Sequence, residues 1–178
     1  MRAGMTLVLL AGAGVAATAA IAASSVDPKV LLLRSSDVPA GAKRVSFGGT
    51  SGAITIPRTV RGKAAYVAYA FTHRSRRETV GNAVGALAGA RDAHDVFLNL
   101  ESKAKNEAGF HRLPVRSFGD EQFAFGTATR ALSLGVIVAR SGSVLWEVIV
   151  SNFPGFTQGQ LTAELETYGA KARKRVAA

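Results

Sequence analysis

Between Ala131 and Ser151 the chain places two apolar runs on either side of Ser141-Gly142-Ser143, and this pair restricts the fold more than any other feature. Leu132, Leu134, Val136 and Val138 recur at every second residue of the first run, and Val144, Trp146, Val148 and Val150 do so in the second. A period of two is that of a strand, whose successive side chains point to opposite faces. The Gly-containing connection has hairpin length. Both faces of the pair are largely apolar, so it belongs inside a sheet covered by helices.

The flanking segments supply both strands and covers. Ala64–Thr72 alternates Val67, Tyr69 and Phe71 with the small Ala68 and Ala70, which predicts a strand with one bulky and one small face, and Gln122–Thr129 is also strand-like. Gly81, Gly85 and Gly89 recur every four residues. On a helix they would line one face, but each costs about 1 kcal/mol against alanine there, so a central strand is expected over Thr79–Leu87. From about Ala90, the residues Ala93, Val96, Phe97, Leu100 and Ala104 fall at helical spacing, opposite a charged face that includes Arg91, Asp95 and Lys105. Gly109 is expected to end that helix. Thr157 with Gln160 makes a capping box that opens a final helix, with Leu161, Leu165 and Tyr168 as its buried stripe. Ser46–Arg61, rich in Gly and Thr, reads as a loop plus one short edge strand, since Pro57 cannot donate to a ladder. Together these segments predict an α+β fold, a mostly antiparallel sheet packed by two main helices.

The first residues carry the parts of an export signal: Arg2, an apolar run from Met5 to Ala22, and the small-x-small triplet Ala20-Ile21-Ala22. The expectation is a signal peptide over 1–22, cleaved after Ala22, and a single exported domain over 23–178. The alternative is an uncleaved anchor, because residues 3–23 hold no charge and about 20 apolar residues span a bilayer. Either way the domain is secreted or extracytoplasmic, and the chain meets a membrane only through 3–23 if these are kept. The absence of cysteine excludes lipid attachment, disulfides, thiol catalysis and iron–sulfur clusters.

A formal charge of +10 attracts anionic neighbours. For an exported domain these are an anionic envelope polymer or an anionic lipid; nucleic acid is not expected, because the basic groups are not interleaved with aromatics. The candidate polyanion-binding residues are Arg74, Arg76 and Arg77, and Lys171, Arg173, Lys174 and Arg175. The plainer reading of the second group is a helix C-terminus stabilised by its dipole. Trp146 and Glu147 are the candidate ligand-binding residues. A Trp lining a pocket would hold a small apolar ligand, although a buried Trp is usually core. A charge on an apolar strand must be paired, exposed or functional; the plain expectation for Glu147 is an edge or rim position with an arginine partner.

Catalytic signatures are missing. His73, His94 and His111 have no zinc-binding spacing, and neither a Gly-x-Ser-x-Gly elbow nor a Gly-Lys phosphate loop is present. Asp120 and Glu121 follow Gly119 as ordinary turn residues, and Gly48–Gly52 is equally a flexible loop or an anion-wrapping one. No catalytic residue, metal or cofactor is therefore assigned. The leading expectation is a non-enzymatic, envelope-associated, ligand-binding or sensor-like domain. A secreted hydrolase using His111, Asp120 and Glu147, and a structural envelope protein, are the alternatives.

Leu32 to Gly41 (Leu-Leu-x-x-Ser-Asp-Val-Pro-Ala-Gly), a Tyr/Phe strand, a helix, Phe118-Gly119-Asp120-Glu121 and the run Val138 to Val144 (Val-Ala-Arg-Ser-Gly-Ser-Val) follow in order. In this order the chain resembles uncharacterised exported proteins and lipoproteins of actinobacteria and their relatives. It is also loosely similar to the extracellular sensor-like domains of mycobacterial serine/threonine kinases. The resemblance implies a mixed sheet-and-helix sandwich of PsbP or Mog1 type without established catalysis, and it carries over no site residues.

Overall fold

The computed structural model describes residues 26–46, 54–73, 75–107 and 109–177. The signal or anchor segment, Arg74 and the Gly48–Gly52 loop lie outside the described residues. Seven strands, β1 (Lys43–Arg44), β2 (Gly62–His73), β3 (Arg76–Leu87), β4 (His111–Arg112), β5 (Glu121–Ala128), β6 (Ser133–Ser141) and β7 (Val144–Phe153), form one sheet in the order β1-β2-β3-β7-β6-β5-β4. Every pairing is antiparallel. Among the described residues, two helices, α1 (Ala90–Lys105) and α2 (Gln158–Val176), and two 3-10 turns, Pro28–Leu31 and Ser35–Asp37, accompany the sheet. The α+β architecture expected from the strand and helix periods is the one formed.

The doubly apolar hairpin takes the middle of the sheet. Ser141 pairs with Val144 across the turn, where Gly142 has φ +59°. β3 closes on the other side of β7 with Val84 opposite Trp146 and Gly85 opposite Leu145. Trp146, Val148, Ile137 and Val84 then face α2 and pack on Leu161, Leu165 and Tyr168. Leu145, Val138, Phe123 and Ala83 face α1 and pack on Ala93, Val96 and Phe97, with the Phe97 and Phe123 rings 5.3 Å apart. Trp146, Ile137, Leu145, Leu161 and Leu165 are all at 0% exposure, and full burial of such a side chain stabilises by about 1.5–3 kcal/mol. The capping box forms as expected: Thr157 Oγ1 accepts from the Gln160 amide and Gln160 Oε1 from the Thr157 amide.

Gly81 and Gly85 prove to be strand residues, and residues four apart share a strand face, while Gly89 is the N-cap of α1. Gly81 and Gly85 both lie on the α1 side of β3. A Cβ on Gly81 would stand 3.0 Å from the Tyr66 hydroxyl oxygen, and one on Gly85 would stand 3.2 Å from Ile54 Cγ2. The missing side chains are the room those residues fill.

Two expectations need correction. An edge strand forms at Lys43–Arg44, before the Ser46–Arg61 segment expected to hold one; of that segment, residues 47–53 lie outside the described residues, and 54–61 hold no strand and fold at Pro57, whose carbonyl accepts from the Val60 amide. The helix predicted to run to Gly109 stops at Lys105, where Asn106 takes the C-cap, and Gly109 (φ +82°) serves the turn beyond. Among the described residues, no helix is long and apolar enough to cross a membrane.

Candidate functional site

The 3-10 turns are held beside β2 by a buried amide. Asn82, at 1% exposure, accepts the Leu33 amide on Oδ1 at 2.9 Å and donates from Nδ2 to the Glu147 carbonyl at 2.8 Å. The Tyr69 hydroxyl donates to the Leu33 carbonyl at 3.3 Å. Between this anchored segment and the β1–β2 edge lies a groove of about 500 Å³, within the size range of small-molecule sites. Leu32, Ala65, Val67 and Tyr69 contribute apolar surface, and Lys29, Arg34 and Arg44 contribute the charge. No carboxylate lines it, and none of the three cations is ion-paired among the described residues.

A second groove, of about 350 Å³, opens at the C-terminal end of α2 between Arg173, Lys174 and Ala170 and the Arg116–Phe118 stretch. Its third cation is Arg116, whose guanidinium sits 5.1 Å from the Phe118 ring centre and whose amide donates to Glu166. The basic run at the end of α2 is divided by helical position. Lys171 and Arg175, one turn apart, face the second 3-10 turn: Lys171 Nζ donates to the Asp37 carbonyl at 2.7 Å, and Arg175 binds both oxygens of the Asp37 carboxylate. Arg173 and Lys174 point away from that clamp.

The candidate polyanion-binding cations among the described residues lie in two separate places. Arg74 is outside the described residues, Arg76 lies 5.0 Å from the Phe156 ring centre, and Arg77 is exposed. Arg76 and Arg77 are at the end of the sheet where α2 begins, and the other four are about 20–26 Å along the helix from its start. Lys171 and Arg175 are held by Asp37, and Arg173 and Lys174 are exposed with no ion-pair partner among the described residues.

Trp146 lines neither groove. It is core, with Phe118 edge-on at 6.1 Å. Glu147 is not on an edge and has no arginine partner among the described residues. It sits on the middle strand, paired with Ala83 on one side and Val138 on the other, at 6% exposure. Desolvation pushes its carboxyl up to about 8. The neighbouring Tyr66 phenol is pushed up to about 12, by burial and then by the Glu147 charge.

The two turn motifs meet in space. Glu121 pairs with Arg140 across β5–β6 and accepts from its Nε; Asp120 accepts the Gly142 amide at 2.8 Å, and Arg140 Nη1 donates to the Gly142 carbonyl at 3.0 Å. His94 Nδ1 reaches Glu121 at 2.8 Å and ties α1 to the same corner. Glu121 is held below the usual carboxylate range, first by the His94 hydrogen bond, against some desolvation, and also by Arg140. The sequence signal for this junction was the order Gly-Asp-Glu then Arg-Ser-Gly, but nothing local said the two touch. The hydrolase grouping is not assembled: His111 stands opposite Gly126, six residues along from Asp120, about 20 Å by strand rise. Among the described residues, no cluster of His, Asp and Glu is placed to hold a metal.

These features define an antiparallel α+β domain with two basic surface grooves. No protein-family model matches the chain, and no curated protein matches it. Among solved structures it is similar to the extracellular domain of PknH from Mycobacterium tuberculosis, at 15% identity and a TM-score of 0.42 over 61% of this chain. The chain spans 64% of the length of that domain.

Proposed function

We propose that this is a non-enzymatic, sensor-like extracytoplasmic domain that binds an amphiphilic anion in the groove between the 3-10 turns and β2. The observation that carries the reading is the set Lys29, Arg34 and Arg44, without ion-pair partners among the described residues, around an apolar floor. An anionic head between the cations gains charge-assisted hydrogen bonds, while an acyl body covers Ala65, Val67 and Leu32. The export signal expected over residues 1–22 supports this reading, since such ligands occur at the envelope.

Calorimetry with dodecyl phosphate, dodecanol and inorganic phosphate tests it. Dodecyl phosphate should bind at least tenfold tighter than either half-ligand, and Arg34→Gln with Arg44→Gln should weaken it by about 25-fold, at roughly fivefold per charge-assisted contact. Equal binding of phosphate and dodecyl phosphate would remove the role of the apolar floor. The second groove favours a different ligand. Arg116, Arg173 and Lys174 line a smaller space, suited to the repeating charges of an anionic polymer, and polyphosphate binding lost in Arg173→Gln/Lys174→Gln alone would assign it there.

A further inference from the structure

The end of the sheet where the β2–β3 and β5–β6 turns lie carries an apolar tip. Leu132 and Phe153 are 45% and 61% exposed. The last β6–β7 pair is Ser133 with Asn152, so these two residues are its chain neighbours at the end of the hairpin. Among the described residues, the other large exposed apolar side chains lie elsewhere, Val26 and Val30 by the first 3-10 turn and Leu98 on α1.

The tip is built. Leu132 donates its amide to Thr129 Oγ1 at 3.0 Å, and its carbonyl accepts from that hydroxyl at 2.8 Å. The Gly155 amide donates to the Arg130 carbonyl at 3.1 Å, and the two turns are so close that a Cβ on Gly155 would stand 2.0 Å from the Thr129 carbonyl oxygen. Positive charge surrounds the apolar pair. Arg77 is the strand partner of Phe153, Arg130 is in the turn, both are exposed, and neither is ion-paired among the described residues. Glu78, beside Arg77, is turned to the opposite face at 4% exposure.

An exposed aromatic and a leucine fixed on a hydrogen-bonded turn, flanked by arginines, have the chemistry of a membrane-interface anchor. The ring and the isobutyl group enter the boundary between headgroups and acyl chains, and the guanidinium groups stay with the phosphates. We propose that this tip docks the domain on an anionic lipid bilayer. The surface shares no residue with either groove, so it stands or falls separately from the ligand reading.

The test uses Phe153→Trp in the full-length chain, where the buried Trp146 supplies a constant background. With phosphatidylglycerol vesicles, the added emission should shift to the blue and be quenched by lipids brominated on their acyl chains. With phosphatidylcholine vesicles neither change should occur. In the parent chain, Leu132→Ser with Phe153→Ser should lower partitioning about tenfold. Arg77→Gln and Arg130→Gln should each lower it about fivefold, with the near-ultraviolet dichroism of Trp146 unchanged as the folding control. Arg34→Gln should leave the blue shift intact. Two results would overturn the proposal. One is a position 153 that stays open to acrylamide on vesicles bound through another part of the chain. The other is a lipid-free, concentration-dependent dimer abolished by the serine pair, which would show that a second copy covers the tip.

Discussion

Glu147→Gln should free the protein from a loss of stability between weakly acidic and weakly basic pH. The folded chain holds the Glu147 proton up to about pH 8, whereas the unfolded chain releases it near 4.5. Below that window both states are protonated, and pH has no effect through this group. Inside the window the unfolded state is ionised and the folded state is not, so folding must take up a proton. Stability falls by about 1.4 kcal/mol for each pH unit. Above pH 8 both states are ionised and the loss is complete, at roughly 5 kcal/mol. That is a large part of the total for a domain of this size. Glutamine fills the same space and does not titrate. It brings a constant offset from burying an amide, and the difference between the two proteins should grow with pH. Urea unfolding at pH 4.5, 6, 7 and 8.5 measures it. The variant should gain several kcal/mol on the parent across the series, and its Tyr66 phenol should ionise at lower pH in a spectrophotometric titration, because the neighbouring charge is gone. Parallel stability profiles for the two proteins would refute the reasoning.

The junction of the two turn motifs gives further tests. Gly119→Ala puts a Cβ 2.4 Å from the Arg140 carbonyl oxygen, and the backbone must move; a loss of about 2 kcal/mol should lower the melting temperature by roughly 6 °C. Glu121→Gln should show the opposite pH sign to Glu147→Gln. The folded carboxylate is held low by His94 and Arg140, so its stabilisation is present above the ordinary carboxylate pKa and is lost as pH falls through the lowered one. The variant should be weaker by about 1–2 kcal/mol near neutrality and converge on the parent in acid, as read by urea midpoints from pH 2 to 7.

The elements were legible because they rest on short-range rules. The period of two around Ser141-Gly142-Ser143, the helical spacing from Ala93 to Ala104 and the Thr157–Gln160 box each need only neighbours in the chain. Glycine's helix cost points to strand at Gly81 and Gly85, and the structure adds a steric reason, Tyr66 and Ile54 lying over the bare positions. The helix end was misplaced by four residues because a cap depends on local carbonyl satisfaction, and Asn106 meets that need before Gly109 is reached.

The sites were less legible. A basic run in sequence cannot say which cations are spent; only the approach of the second 3-10 turn to α2 decides that Lys171 and Arg175 bind Asp37 while Arg173 and Lys174 remain outside. Lys29, Arg34, Arg44 and Arg116 were not singled out as ligands, because their convergence depends on contacts between segments distant in sequence. Glu147 was recognisable as a charge that needed an explanation. Its place on the middle strand was not, since β3 joins β7 across a gap of about sixty residues that no local period records. Periodicity, capping and turn chemistry determined from sequence alone that this chain makes an antiparallel sheet with two helices, because those forces act over a few residues. Which charges are buried, paired or left for a ligand was decided by tertiary packing, because desolvation and ion pairing depend on neighbours that the chain brings together only when it folds.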